Sequence, residues 1–203
     1  MKLLSTDWQE DYNFGIFQNV VYVNSINEVK DADALVLWGG EDIGTEIYGQ
    51  KANHYVFRTK KSERDIKEIA MVREAIKNQI PIIGICRGAQ LLCALAGGSL
   101  VQHIGGHGHT HDVTLHDEEN KVIQCNSSHH QMMLPPPNAK ILATSKETSG
   151  VGQHNELLRI PKVFEVVYFP NMKGLGIQPH PEWTSCPQEF INYCVRKIKE
   201  YLL

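Results

Sequence analysis

A chain of 203 residues, 42% of them apolar, can bury one core without metals or cross-links, so a single catalytic domain over 1–203 is expected. A formal charge of −3 and the lack of a long Lys/Arg block exclude nucleic-acid binding as its main business and leave small-molecule chemistry. The opening Met1-Lys2-Leu3-Leu4-Ser5-Thr6-Asp7 has no signal-peptide core, no stretch reaches membrane-span length, and five unpaired-looking cysteines argue for reduced thiols, so a cytoplasmic address without membrane contact is expected.

In chain order, Val20-Val21-Tyr22-Val23 reads as a strand, and Ala34-Leu35-Val36-Leu37-Trp38 as a buried strand opening into Gly39-Gly40. The amides of that double glycine are free to face a developing oxyanion. An acidic turn, Glu41-Asp42-Ile43-Gly44, follows, and then Arg58 and Lys60-Lys61. These offer charge to a cationic or an anionic leaving group, and the sequence does not choose. A helix is predicted from Ser62 and Glu63 to Asn78, with Ile66, Ile69, Ala70 and Ile76 on its apolar face.

The run Ile80 to Ile85 is a buried strand that breaks at Cys86 into a second helix through Gln90-Leu91-Leu92. Cys86 then sits at the positive end of that helix, a place that favours negative charge. Strand, helix, strand, helix implies a parallel sheet, whose ligands collect at the carboxyl ends of the strands, where Gly40 and Cys86 fall.

From Asp112 the chain turns to short strands at Val113–Leu115, Lys121–Gln124, Ile141–Ala143, Leu157–Ile160 and Val163–Tyr168. Gly176-Ile177-Gln178 ends a strand, His180 follows as a candidate base, and Glu182 two residues on can orient its ring. A last helix spans roughly Gln188 to Tyr201 with Phe190, Ile191, Cys194, Ile198 and Tyr201 near one face.

The segments Gly39-Gly40, Gly84-Ile85-Cys86-Arg87-Gly88-Ala89-Gln90, Asn126-Ser127-Ser128-His129-His130-Gln131 and Gln178-Pro179-His180-Pro181-Glu182, in this order, resemble the class I glutamine amidotransferase superfamily. Within it they are most similar to the γ-glutamyl hydrolase-like branch, the peptidase C26 type that includes γ-glutamyl-γ-aminobutyrate hydrolases. The resemblance implies a flavodoxin-like three-layer α/β fold, with a central, mostly parallel sheet, helices on both faces and an added β-rich segment. It implies a Cys86-His180-Glu182 triad, with the backbone amides of Gly40 and Arg87 as oxyanion donors. It also places Gln90, Ser128, His129 and His130 around the glutamyl moiety, and calls for no cofactor. Pro179 departs from the family, where many relatives carry an aromatic residue; at 203 residues the chain is shorter than many relatives, and the segment between Ile104 and Asp112 is brief.

The reading is a hydrolase that cleaves a small γ-glutamyl amide through a γ-glutamyl thioester, giving glutamate and an amine or amidate. The alternative is a glutaminase subunit delivering ammonia to a separate synthetase by the same chemistry. A catalytically silent member is disfavoured by the presence of Cys86, His180 and Glu182. Cys93 and Cys194 read as structural core residues. His103, His107, His109, His111 and His116 have irregular spacing and no cysteine pair, so the expectation is a glycine-rich loop without metal.

Overall fold

The structure is a computed structural model, and it describes residues 2–5, 19–22, 25–56 and 58–203. Val23 of the first predicted strand, and Met1, Thr6 and Asp7 of the opening segment, lie outside them. The first half supplies β1 (Lys2–Ser5), β2 (Asn19–Tyr22), β3 (Ala34–Leu37), α1 (Glu63–Lys77), β4 (Ile82–Ile85) and α2 (Arg87–Leu95). The second half supplies β5 (Ser99–Val101), β6 (His103–Ile104), β7 (His111–Leu115), β8 (Lys121–Cys125) and β9 (Met132–Leu134). It continues through β10 (Lys140–Ser145), β11 (Thr148–Val151), β12 (Leu157–Ile160), β13 (Val163–Phe169) and β14 (Gly174–Ile177) to α3 (Gln188–Tyr201).

A nine-stranded sheet in the order β2-β1-β3-β4-β14-β13-β10-β7-β8 forms the centre. The strands from β2 to β14 in that order run parallel, and each later neighbour is antiparallel. The β-rich second half therefore continues the same sheet, with β12-β11-β6 and β5-β9 as small side sheets.

Both faces of the sheet are covered, which is why β3 and β4 are buried at every position. Ala34, Val36, Ile83 and Ile85 pack with Phe190, Tyr193, Cys194 and Ile198 of α3. Leu35, Leu37 and Ile82 face the other way, onto Ile69 and Val72 of α1 and Leu91 and Leu92 of α2. This alternation is the period-two geometry of a strand, and it makes three layers.

The start of α1 is fixed by a capping box: Asp65 N–H donates to Ser62 Oγ (3.0 Å), and Ser62 N–H donates to Asp65 Oδ2 (2.8 Å). Its predicted apolar face needs correction. Ile66 is 58% exposed and Ile76 40%, while Asp65, Glu68, Ile69, Met71, Val72 and Ala75 are buried. Two carboxylates occupy the inner face because Arg87 pairs with both, and this rotates the helix away from the setting its apolar residues alone suggest.

The corner after β4 depends on close backbone approach. A Cβ on Gly88 would lie 2.2 Å from the Leu37 carbonyl oxygen, and one on Gly84 would lie 2.5 Å from the Gly88 carbonyl. Only glycine lets β3, β4 and α2 meet this closely. Among the described residues, no helix is long and apolar enough to cross a membrane.

Candidate active site

Cys86 stands at the turn between β4 and α2 with φ 49° and ψ −106°. A side chain held at such a φ costs about 1–3 kcal/mol, so the surrounding contacts must impose it. They do: Cys86 N–H donates to the Ile177 carbonyl (2.8 Å), and Gln90 N–H donates to the Cys86 carbonyl (3.1 Å). The nucleophile is thereby tied to β14, the strand that leads to the histidine.

His180 Nδ1 and Glu182 Oε1 are 2.7 Å apart, and both side chains are almost fully buried. Three further contacts fix the ring. Asn126 Nδ2 donates to the His180 carbonyl (2.8 Å), Asn126 Oδ1 accepts from the His180 N–H (3.1 Å), and Trp183 stacks on the imidazole at 3.9 Å between centroids, tilted 13°. A Cβ placed on Gly39 would come 2.9 Å from His180 Cε1 and 3.5 Å from Cys86 Cβ, so Gly39 underlies both groups. Burial pulls the His180 pKa down, but the ring's hydrogen bonds with Cys86 and Glu182, and the charges of those two groups, outweigh it and raise it to about 9. A ring held this way can carry a proton beside the thiol and pass it on.

Gly40 has φ 144°, within the region that favours glycine, and its added Cβ would lie 3.7 Å from Arg87 Cδ. Arg87 opens α2, so its N–H has no carbonyl partner within that helix. The Arg87 side chain turns the other way and forms buried ion pairs with Asp65 and Glu68. Glu68 also accepts from Arg64 Nε (2.8 Å), while Arg64 Nη2 donates to the Trp38 carbonyl (3.1 Å) just before Gly39-Gly40. Asp65 Oδ2 accepts from the Gly44 N–H at 3.3 Å. One face of α1 thus positions both backbone segments nominated as oxyanion donors.

The predicted glutamyl-binding residues divide. Gln90 is buried one helical turn after Cys86, and its Nε2 donates to Gln178 Oε1 (3.3 Å) and to the Gln131 carbonyl (3.4 Å). Ser128 is exposed. His130 is half-exposed and meets Asp42 Oδ1 at 2.9 Å, a bond that raises its pKa. His129 is not turned to the reacting corner: Nδ1 faces the Gln131 carbonyl (2.8 Å), and Nε2 lies 4.0 Å from Glu165 Oε2. With both nitrogens directed there, the ring has no donor left for a glutamyl carboxylate.

A polar cleft of about 590 Å³ runs along Glu41, Asp42, Arg58, Thr59, Lys60 and Lys61, and a smaller one of about 220 Å³ reaches Arg64 and Arg87. Its charges are already paired. Arg58 holds Glu41 (2.6 Å), both lysines hold Glu46, and His130 holds Asp42. Neither sign dominates.

Sequence reasoning missed Asn126, Trp183, Arg64, Asp65 and Glu68 as positioning groups. The signal for the last two was an acidic pair at i and i+3 inside an apolar stripe, with an arginine directly after the nucleophile.

Residues 20–182 match the profile of the family described as Peptidase C26. The chain is 30% identical over 188 residues to the glutamine amidotransferase-like protein YvdE of Lactococcus lactis subsp. lactis, covering 82% of this chain and 73% of that one. It is 28% identical over 160 residues to the γ-glutamyl-γ-aminobutyrate hydrolase of Escherichia coli O157:H7, covering 68% and 63%. Some curated relatives are matched over much less of their own length, 31% for protein NtpR of Enterococcus hirae at 38% identity over 76 residues, which is 37% of this chain. Among solved structures, a glutamine amidotransferase from Thermotoga maritima superposes with a TM-score of 0.59 over 98% of this chain and 82% of that chain. At 17% identity, that likeness shows the class I glutamine amidotransferase fold.

Proposed function

Because this chain belongs to the peptidase C26 family, whose members are hydrolases and amidotransferases, we propose that it hydrolyses the γ-glutamyl amide bond of a small adduct. The observation that carries this reading is Cys86, fixed at φ 49° above Gly39 beside an imidazole that Glu182 holds at 2.7 Å. Cys86 gives its thiol proton to His180 as its Sγ attacks the γ-carboxamide carbon, and the tetrahedral oxygen is received by the Gly40 and Arg87 amides. The C–N bond breaks as His180 gives its proton to the departing amine, leaving a γ-glutamyl thioester. Water then attacks that carbon, His180 takes its proton, and the C–S bond breaks as the proton passes from His180 to Sγ, so glutamate leaves with the thiol restored. Glu182 stabilises the charged ring throughout. Gln90, one helical turn after Cys86, together with Ser128 and His130 would receive the glutamyl moiety in this reading.

Glutamate release from a panel of γ-glutamyl amides, with Cys86→Ala as control, tests the reading. Turnover that vanishes in the variant supports it. A panel left untouched, with glutamine hydrolysed only once a synthetase is added, overturns it.

The likeness to glutamine amidotransferase-like protein YvdE favours one second reading, in which ammonia from glutamine passes to a separate synthetase by the same thioester. Co-purification with an ATP-dependent synthetase and glutaminase activity dependent on it distinguish that case.

A further inference from the structure

Away from the reacting corner, three imidazoles converge on one buried carboxylate. Glu165 lies within β13 and is fully buried. His111 Nε2, at the start of β7, is 2.9 Å from Glu165 Oε1, and His107 Nδ1 is 3.7 Å from the same oxygen. These three ligand atoms lie within 4.8 Å of one another. His129 Nε2 approaches the other oxygen, Glu165 Oε2, at 4.0 Å, with its ring centroid 4.9 Å from that of His107.

We propose that His107, His111, His129 and Glu165 form a binding site for one divalent transition-metal ion, with zinc the best fit. Ligand atoms about 2.0–2.1 Å from a tetrahedral zinc stand about 3.3–3.4 Å apart, and the nitrogen-to-carboxylate separations of 2.9, 3.7 and 4.0 Å bracket that value, so ring rotations would close the shell. The hydrogen-bond partners indicate the same occupant. His129 Nδ1 faces the Gln131 carbonyl at 2.8 Å, and His111 Nδ1 faces the His109 carbonyl at 3.3 Å. Carbonyls only accept, so both Nδ1 atoms carry the proton; the His129 Nε2 lone pair then points toward the carboxylate, while His111 Nε2, which donates to Glu165 Oε1 at 2.9 Å, gives up that proton when a cation takes its place.

His107 Nδ1, His129 Nε2 and Glu165 Oε2 are buried with no hydrogen-bond partner. Three orphaned polar atoms around one point are costly in a native interior, and a single shared proton would satisfy only one of the rings. A cation with several coordination positions serves them all. Imidazole donors select zinc and its transition-metal neighbours over magnesium or calcium.

The surroundings fit a metal centre. Ser145 Oγ donates to Glu165 Oε1 at 2.7 Å, the kind of outer bond that orients a ligating carboxylate. A solvent-facing cleft of about 330 Å³, lined by Gly105, His107, His111 and Ser145, gives an entry path. The His107 carbonyl accepts from Ser127 Oγ (2.8 Å) and the His129 N–H (3.0 Å), and the Glu165 carbonyl accepts from the Gln178 N–H (2.8 Å). The ion would therefore clamp the 103–111 and 126–131 segments onto the strand beside the one leading to His180. This assignment is independent of the reaction proposed above, and it reverses the sequence expectation of a metal-free loop.

The test uses untagged full-length protein. Elemental analysis should find one zinc per chain, and protein stripped with a chelator should take up one Co²⁺ with the intense visible bands of a tetrahedral site. Zinc chloride at a hundredfold excess over its dissociation constant should raise the melting temperature of stripped protein by roughly 5–10 °C. The cobalt bands should vanish in His111→Ala and Glu165→Gln. If either variant fails to fold, X-ray absorption of the wild-type cobalt protein must show a nitrogen and oxygen shell with imidazole scattering. Stripped, folded wild-type that binds no cobalt overturns the proposal, as do bands unchanged by both variants or a shell containing sulfur.

Discussion

The two buried charged clusters of this molecule solve the same problem in opposite ways. At the foot of α1, Asp65 and Glu68 lie inside the fold, but Arg87 and Arg64 supply matching charge. Around Glu165 the neighbours are three imidazoles and a hydroxyl, and three polar atoms remain without partners. The first region is complete in its own atoms and gives a rigid platform for the backbone at Gly40 and Arg87. The second has the shape of a shell around something from outside the chain. A buried carboxylate is informative only with its counter-charge, because an unpaired one is too costly to persist.

The largest expected effect separates the regions. Cys86→Ala should lower glutamate release by at least ~10³-fold while cobalt uptake at the histidines is unchanged; joint loss of both would show one coupled site.

Next, Glu182→Gln should reduce kcat by roughly 10²–10⁴-fold and shift the pH profile. A raised histidine pKa means that the charged ring's contribution is full below the unfolded value near 6.5 and is lost as pH rises through about 9. Activity that needs the imidazolium should therefore fall through about pH 9 in wild type. Without the Glu182 charge that alkaline limb should move to lower pH, which a kcat/KM profile reads directly. An unmoved limb would assign the titration to another group.

Arg87→Met sharpens the contrast in stability. It strands two buried carboxylates, so denaturation should show a loss of about 3–5 kcal/mol, or roughly 6–20 °C in Tm. Metal-stripped Glu165→Gln should lose less, since its neighbours can stay neutral. Equal losses would erase the distinction drawn between the clusters. The smallest effect concerns the rotated face of α1: Ile66→Ala should change stability by about 0.5 kcal/mol or less, and Ile69→Ala by about 2–5 kcal/mol, in urea titrations.

The core of the fold was legible because β3, β4 and α3 carry their burial in composition. Glycines at 84 and 88, a cysteine at the corner, and the His180-Pro181-Glu182 spacing were also readable, since each is a local pattern. What was hidden depends on contacts across the chain. The inner face of α1 was misjudged because Asp65 and Glu68 look like solvent residues until Arg87 is placed against them. The short strands β5, β6, β9 and β11 have too few residues to display a period. The histidine cluster draws on positions 107, 111, 129 and 165, so no spacing rule finds it. Its one local sign was Glu165 inside the apolar run Val163-Phe164-Glu165-Val166-Val167, a charge where a strand has no use for one.

The backbone at residue 86 has an implication for selection. Glycine is at ease at φ 49°, so Cys86→Gly should relieve a strain of about 1 kcal/mol or more while removing the thiol. A lineage that gave up the reaction would gain stability by drifting to glycine there. Cysteine at that corner carries a local backbone strain that packing alone gives no reason to keep, and its replacement by glycine in a relative would mark the loss of the proposed chemistry.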